Sequence, residues 1–447
     1  MSGNSGHGAS AATSSNSNDV TCELGPGAPR SGGRAAWGGA PLNLEIAGVP
    51  ARELAAEYGT PLVVIDTEEL ALEIDRFVRA FVSRGIAVGY AGKAFLVTAL
   101  AELLAATPLR LDVCSLGELI TGERGGFPSG RIYFHGVAKS DAELAAIAAG
   151  RVAFGVLDNA EELERLAELA RDNARVNVML RINAGIEAHT HEFVRTGGEN
   201  TKFGFPARDA EAAIRRVAAL PQLRLIGLHS HVGSQIVDAE PLVANLEALL
   251  PYADAARAMG LPVEELNLGG GIGVESGPGE PRPIDLESFA ARLAAGVAET
   301  PYRLAIEPGR ALIARAGSLL YRVVTVKRQG ARRFVVVDGG MTDNPRPLLY
   351  GAHHPADLIA SAATGKPAPA TLAGRSCEND EIGAYVLPED VRAGDLIAMR
   401  YTGAYTYSMA SNYNRFGKPA VVFVRDGSHR RVVRAETAED VVRLDLA

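Results

Sequence analysis

The stretch Val88–Gly–Tyr–Ala–Gly–Lys–Ala–Phe95 closes a short apolar run, Gly85–Tyr90, and sets a single lysine, Lys93, just beyond it. The run is the first of eight, each followed by a polar or glycine-rich turn and then a helix-like segment. A lysine at the C-terminal end of a first barrel strand sits where a barrel enzyme keeps its chemistry. Held in an apolar mouth, it can lose its proton and form a Schiff base. Taken alone, Lys93 reads as a surface lysine at a strand end; the rest of the chain decides against that.

The strand-like runs are Ile86–Tyr90, Leu109–Val113, Arg131–Phe134, Val152–Leu157, Val176–Ile182, Leu223–Leu228, Val263–Leu268 and Arg303–Ile306. Between them lie helical stretches, Leu96–Ala106, Leu116–Arg124, Asp141–Ala149, Ala160–Asp172, Ala207–Ala219, Ala239–Met259 and Asp285–Ala298. Apolar residues recur at helical spacing, as Leu163, Leu166 and Leu169 do. Eight strands joined by helices over about 230 residues match an α/β fold of the closed (β/α)8 type. A doubly wound sheet shares the alternation, but the count of eight favours the barrel.

After about Ala314 the texture changes. Leu319–Lys327, Arg333–Val337, Leu396–Tyr401 and Pro419–Arg425 predict strands with Gly, Asp and Pro turns. The expected division is a Gly/Ser-rich disordered tail over 1–42 and a segment over 43–66 that lends the strand Thr60–Ile65 to the β domain. A barrel over 67–316 and a sandwich-like all-β domain over 317–447 complete it.

The 447 residues are 47% hydrophobic with net charge −8, which suits a large core and two domains. No basic block interleaves with aromatics, so nucleic acid is not an expected partner. Met1–Val20 has no Lys or Arg and no apolar core, so it reads as neither signal nor transit peptide. No apolar run approaches the roughly 20 residues of a membrane helix. Cys22, Cys114 and Cys377 are too few and scattered for a disulfide framework or zinc cluster, and a reducing cytoplasm fits them.

The informative fact is where the polar residues fall. Successive runs end in Lys93; in Asp112, Cys114 and Ser115; in His135; in Arg181 and Asn183; in His229–Ser–His–Val–Gly–Ser–Gln235; in Asn267–Leu–Gly–Gly–Gly–Ile–Gly273; and in Glu307–Pro–Gly–Arg310. On a barrel all would crowd one face. Gly269–Gly271 lets backbone N–H groups approach an anion, and Arg310 offers a fork for phosphate or carboxylate. A glycine cluster by itself equally makes a tight turn. No G-x-G-x-x-G runs through residues 269–276, which weakens a dinucleotide reading. A carboxylate such as Glu307, facing a pyridine nitrogen, keeps it protonated and makes the ring an electron sink. His231 is placed to stack on that ring. Lysine, anion cup, carboxylate and imidazole together specify pyridoxal 5'-phosphate, and the His, Asp and Glu residues lack the spacing of a metal site.

These motifs resemble the alanine-racemase-type family of pyridoxal-phosphate decarboxylases (group IV), in its branch acting on diaminopimelate. The resemblance runs from about Pro61 to Val424. It rests on Tyr90–Ala94, His189–Thr–His–Glu–Phe–Val–Arg–Thr–Gly197, Lys202–Phe–Gly204, His229–Gln235, Gly269–Gly273, Glu307–Arg310, Asp343–Asn–Pro–Arg–Pro–Leu–Leu–Tyr350, Cys377–Glu378 and Gly403–Ala–Tyr405. It implies decarboxylation of meso-2,6-diaminopimelate to L-lysine and carbon dioxide, the last step of lysine biosynthesis, by a homodimer with shared sites. Lys93 is then the attachment point of the cofactor. His231 stacks on the ring, and Glu307 contacts its nitrogen. Ser234, Gly271 and the backbone near Arg310 hold the phosphate, with Tyr405 nearby; Asp112 and Gly309 join the cofactor contacts. Arg310, Arg346 and Tyr350 bind the distal carboxylate end of the substrate, where Tyr405 also lies. Glu378 binds the distal ammonium. Cys377, from the partner subunit, is the acid that protonates the α-carbon.

The chemistry gives these roles a reason. The far end of diaminopimelate is a zwitterion, so its carboxylate calls for cations and its ammonium for an anion. Three features depart from the family pattern. Asn379–Asp380 replaces a usual Ser-Gly-Asp, Gly136–Val–Ala–Lys139 replaces an Asn-containing turn, and Phe95 stands where many members carry Asn. Asn379 adjoins two assigned residues. This leaves room for a related or modified amino acid of a specialised siderophore or antibiotic pathway. A non-catalytic paralogue would not need Lys93 and Cys377, nor a racemase Arg346 and Cys377–Glu378.

Overall fold

The computed structural model describes residues 43–170, 175–186, 201–275, 282–359 and 362–446. The predicted tail and the His189–Gly197 motif lie outside the described residues.

Eight parallel strands close into a barrel: Ala87–Ala91, Arg110–Val113, Ile132–Phe134, Phe154–Leu157, Val176–Asn183, Leu223–His229, Glu265–Asn267 and Arg303–Ile306. Closure comes from Val176–Asn183 pairing with Leu223–His229 and Arg303–Ile306 pairing with Ala87–Ala91. Each strand is buried on both faces, which is why each reads as an apolar run. The helices between the strands bury their apolar stripes outward of the barrel. Their N-termini are capped locally: Ser115 accepts from the Glu118 N–H, and Ser140 and Glu143 form a reciprocal capping box.

The sequence reading missed one helix of the ring. Thr67–Ala80 precedes the first strand and packs against Leu286–Val297, filling the place a helix after the eighth strand takes in a simple barrel. Its signals are present. The Asp66 carboxylate accepts from the N–H groups of Glu68 and Glu69, and Leu70, Ile74, Phe77 and Ala80 form its buried stripe.

The second sheet is mixed. Its order is Glu381–Pro388, Pro367–Ala373, Arg332–Val337, Gly317–Gln329, Leu62–Asp66, Ala420–Arg425 and Ser428–Val433, with Leu396–Arg400 joining Gly317–Gln329 to Ala356–Ile359. Leu62–Asp66 sits centrally, antiparallel to Gly317–Gln329 and parallel to Ala420–Arg425. Helix Ala51–Tyr58 covers this sheet through Leu54 and Ala55 against Leu62, Val64, Leu320 and Val422.

One loop of the β domain reaches the barrel mouth. The Tyr405 N–H and the Ser408 hydroxyl both donate to the Ala94 carbonyl, at 2.8 and 3.0 Å. A Cβ on Gly403 would fall 2.0 Å from the Ile313 carbonyl oxygen, so only glycine lets the two segments meet there. Tyr405 itself has φ +58°, an αL conformation held by these contacts.

Candidate active site

A cavity of about 410 Å³ opens at the C-terminal end of the barrel strands. Lys93, Asp112, His231, Ser234, Gly271, Glu307, Gly309, Arg310 and Tyr405 all line it. They arrive from the ends of the first, second, sixth, seventh and eighth strands and from the β-domain loop. Arg346, Tyr350, Cys377 and Glu378 do not line it. Arg346 and Tyr350 lie on the short helix Arg346–Tyr350, where Arg346 is buried. Cys377 is exposed, its N–H donating to Asn414 Oδ1 at 2.9 Å, and the Tyr413 hydroxyl donates to Glu378.

Lys93 stands in a single 3-10 turn, Gly92–Ala94, directly after the first strand. The buried Tyr90 hydroxyl donates to the Phe95 carbonyl at 2.7 Å, which ties the end of the turn back to the strand. A Cβ on Gly92 would lie 2.9 Å from the Asp112 carbonyl oxygen, so strands one and two approach too closely for a side chain.

Glu307 is buried at the end of the eighth strand with polar groups converging on it. His229 Nε2 is 3.1 Å from Oε2, and Asn267 Nδ2 donates to Oε1. His135 Nε2 lies 3.0 Å from Oε1, close but off the line of a good hydrogen bond. Burial alone would raise this carboxyl, but His135 and His229 outweigh it and hold it well below the usual range. Burial lowers His229, to about 4, with the Glu307 charge opposing. Asp112 goes the other way. Burial and then the Glu307 charge push it well up, with Lys93 opposing, and both its carboxyl oxygens are buried without a partner.

Burial, then Lys93 and Arg181, hold His231 well below its ordinary value. Its Nδ1 accepts from the Gly270 N–H at 3.2 Å, which leaves the ring proton on Nε2.

The glycines have a second purpose that spacing did not reveal. A Cβ on Gly270 would fall 2.1 Å from the Glu307 carbonyl oxygen, and one on Gly271 2.2 Å from that of Gly233. The loops after strands six, seven and eight therefore pack backbone to backbone. Glu307 N–H to Gly269 O and Ile236 N–H to Gly271 O, both 2.9 Å, hold them together. Arg310 lies on this cup with its guanidinium 4.8 Å from the Tyr405 ring, and its Nη1 is buried with no partner among the described residues. An unsatisfied buried guanidinium beside a glycine loop fits an anionic group.

Several lining residues were seen at strand ends without an assigned role. Arg181 is half-buried, 3.7 Å from Asp158 and 4.5 Å over the Phe203 ring. Cys114 gives its N–H and thiol to Glu118, and burial pushes the thiol up to about 12. His135, His229 and Glu307 place ligand-type atoms within 4.8 Å of one another, a cluster that spacing had not foretold. Their 3.0 and 3.1 Å separations join His135 and His229 to opposite oxygens of one carboxylate.

Fold and site together define a barrel enzyme whose strand ends present a lysine, a clamped carboxylate and an anion cup to one organic cofactor. The family described as pyridoxal-dependent decarboxylase, pyridoxal binding domain, matches residues 68–314. The diaminopimelate decarboxylase of Actinosynnema pretiosum subsp. auranticum is 43% identical over 414 residues, covering 90% of this chain and 92% of that protein. That of Bacillus subtilis (strain 168) is 41% identical over 420 residues, covering 90% and 95%. The crystal structure of diaminopimelate decarboxylase from Helicobacter pylori complexed with L-lysine superposes with a TM-score of 0.83 at 30% identity. It covers 88% of this chain and 99% of that one. The chain belongs to the pyridoxal-dependent decarboxylases and, within them, to the diaminopimelate decarboxylases.

Proposed function

We propose that this protein removes carbon dioxide from meso-2,6-diaminopimelate to give L-lysine, using pyridoxal 5'-phosphate. The observation that carries the reading is that Lys93, His231, Glu307 and Arg310 line one cavity at the barrel mouth. The bound cofactor supplies a sink for the electron pair left on the α-carbon when the carboxylate departs.

The chain's own residues do the rest. Lys93 is the cofactor's attachment point. Glu307, held as a carboxylate, keeps a proton on the ring nitrogen. His231 presents a neutral imidazole to the ring. Ser234, the Gly271 backbone, Gly309 and Arg310 hold the phosphate, with Asp112 and Tyr405 beside them. Arg310, Arg346 and Tyr350 bind the distal carboxylate, and Glu378 the distal ammonium. The bond to the carboxylate breaks, its electron pair stays on the α-carbon, and a proton replaces carbon dioxide. Cys377 delivers that proton.

Because Cys377 and Glu378 are exposed and outside the cavity of their own chain, we take the working unit as a homodimer. The partner subunit's Cys377 then completes each site. Leu348 and Leu349, 43% and 49% exposed on the helix that carries Arg346, support a covered surface there. The division of labour is a cofactor-binding barrel over 67–316 and a β domain over 317–447 that takes in 43–66. Among the described residues no helix is long and apolar enough to cross a membrane, and a cytoplasmic location is part of this proposal.

The test is carbon dioxide release from the diaminopimelate isomers, lysine, ornithine and arginine. A strong preference for the meso isomer supports the reading. Preference for a monocarboxylate substrate transfers it to a specialised pathway, the alternative that Asn379 beside Glu378 raises.

A further inference from the structure

Two histidines at the barrel mouth have no part in the mechanism above. His135 ends the third strand and His229 the sixth, their ring centroids 5.0 Å apart and nearly edge to face. His229 Nε2 hydrogen-bonds Glu307 Oε2 at 3.1 Å, His135 Nε2 stands 3.0 Å from Oε1 but off the hydrogen-bond line, and Asn267 Nδ2 donates to Oε1. The groups come from three strands and converge on one carboxylate from the barrel's interior side. A barrel interior is ordinarily filled by branched aliphatic side chains, so a polar layer here calls for its own reason. A deeper layer is polar too. Both oxygens of Glu265 accept from Arg110 Nη1, at 2.8 and 2.9 Å, and its Oε1 also accepts from the Tyr133 hydroxyl at 2.6 Å. That layer is closed on itself. The Glu307 layer faces the cavity.

We propose that His135 and His229 are positioning residues that clamp Glu307 as an ionised, fixed carboxylate, and so set how strongly the site holds a protonated ring nitrogen. The inference rests on the cofactor reading above. Without the donors a buried carboxyl reverts toward its neutral form, because burial penalises the charge. Its contact with a ring N–H would then change from charge-assisted to neutral, a bond roughly half as strong. The other charged groups near Glu307 do not replace the clamp. Arg181, at the end of the fifth strand, is turned to Asp158 and Phe203, and Asp112 and Glu265 carry the opposite tendency. The lowered carboxyl of Glu307 agrees with the geometry but is not needed for it.

The test measures the ring nitrogen directly, without turnover. Apo protein is titrated with pyridoxal phosphate and with its deaza analogue, in which C–H replaces the ring nitrogen, and the ratio of the two dissociation constants is taken. Wild type is expected to favour the natural cofactor. In His229→Phe the ratio should fall by about tenfold, the scale of one charge-assisted hydrogen bond, and in His135→Phe it should fall by a smaller factor. His229→Gln, which keeps an N–H donor, should restore most of it. His135, at 13% side-chain exposure, tolerates replacement more readily than His229, at 2%, so one variant remains if the other does not fold. An unchanged ratio, with both constants weakened alike, makes the histidines structural and overturns the proposal. So does a wild type that binds both compounds equally. A wild type that binds neither refutes the cofactor reading instead.

Discussion

Replacing Gly270 by alanine tests the idea that the glycine loop exists to let three barrel loops meet. The new methyl would stand 2.1 Å from the Glu307 carbonyl oxygen and 3.0 Å from its carbon, where ordinary contact begins at 3.4 Å. The obstacle is backbone, so the loop must retreat by roughly 1.3 Å, the difference between the contact and the clash. It cannot do so alone, because Gly270 N–H donates to His231 and Gly269 O accepts from Glu307. Overpacking of this kind costs about 1–3 kcal/mol of stability. Misplacing the anion cup beside Arg310 should cost a further ~1.5–3 kcal/mol of cofactor binding, about 10–100-fold in Kd. Gly117→Ala is the control. It lies in helix Leu116–Arg124 with only Ser115 Oγ nearby, at 3.7 Å, and should be neutral or stabilising by up to about 1 kcal/mol. Urea unfolding and cofactor titration on both variants decide it. A Gly270→Ala protein with wild-type stability and cofactor affinity refutes the packing argument.

Three other outcomes follow from the same geometry. Burial pushes Asp343 up to about 7 despite donors from Gly340 N–H and Thr342 Oγ1. Its folded value exceeds its unfolded one, so its stabilising effect is complete below pH ~4 and is lost as pH rises through ~7, by about 4 kcal/mol. Asp343→Asn should flatten the stability–pH curve over that window, and an unchanged slope assigns it to another group. Mixing inactive Lys93→Ala with inactive Cys377→Ala should recover roughly a quarter of wild-type turnover, since half the dimers are hybrids with one intact site; no recovery rules out shared sites. Arg346→Ala should cost diaminopimelate turnover about 2–5 kcal/mol while sparing lysine, and equal losses on both substrates would make Arg346 structural.

The barrel was legible because strands buried on both faces appear as uninterrupted apolar runs, and all eight lie within a few residues of where those runs fall. The β domain was legible only in its central strands. Pro367–Ala373 carries two prolines, Glu381–Pro388 a glycine, and Ser428–Val433 four polar residues, and each has a half-exposed face. Such strands are held by their neighbours rather than by their own pattern. Helix Thr67–Ala80 was overlooked for a different reason. Its cap and stripe are plain, but it precedes the first barrel strand, where the βα count gave it no place. Eight of the nine lining residues named above were legible because strand ends share one face, whereas Tyr405, on the β-domain loop, came only from the family resemblance. The convergence of His135 and His229 on Glu307 was not, because residues on the third, sixth and eighth strands meet only once the barrel closes. Asp380 shows the opposite case. It looked like a change beside the substrate site, yet its carboxylate accepts from the Met341 and Ser376 N–H groups and ties the Cys377 loop to the sheet.

The account depends most on Lys93 as the one covalent anchor at the barrel mouth. Borohydride reduction of the cofactor-loaded protein, followed by proteolysis and peptide mass spectrometry, locates that anchor. The expected result is pyridoxyl phosphate on the peptide that contains Lys93, at one per chain, and none on Lys139 or Lys202. A stoichiometric adduct on another lysine, or no adduct in protein that releases carbon dioxide from diaminopimelate, would contradict the account.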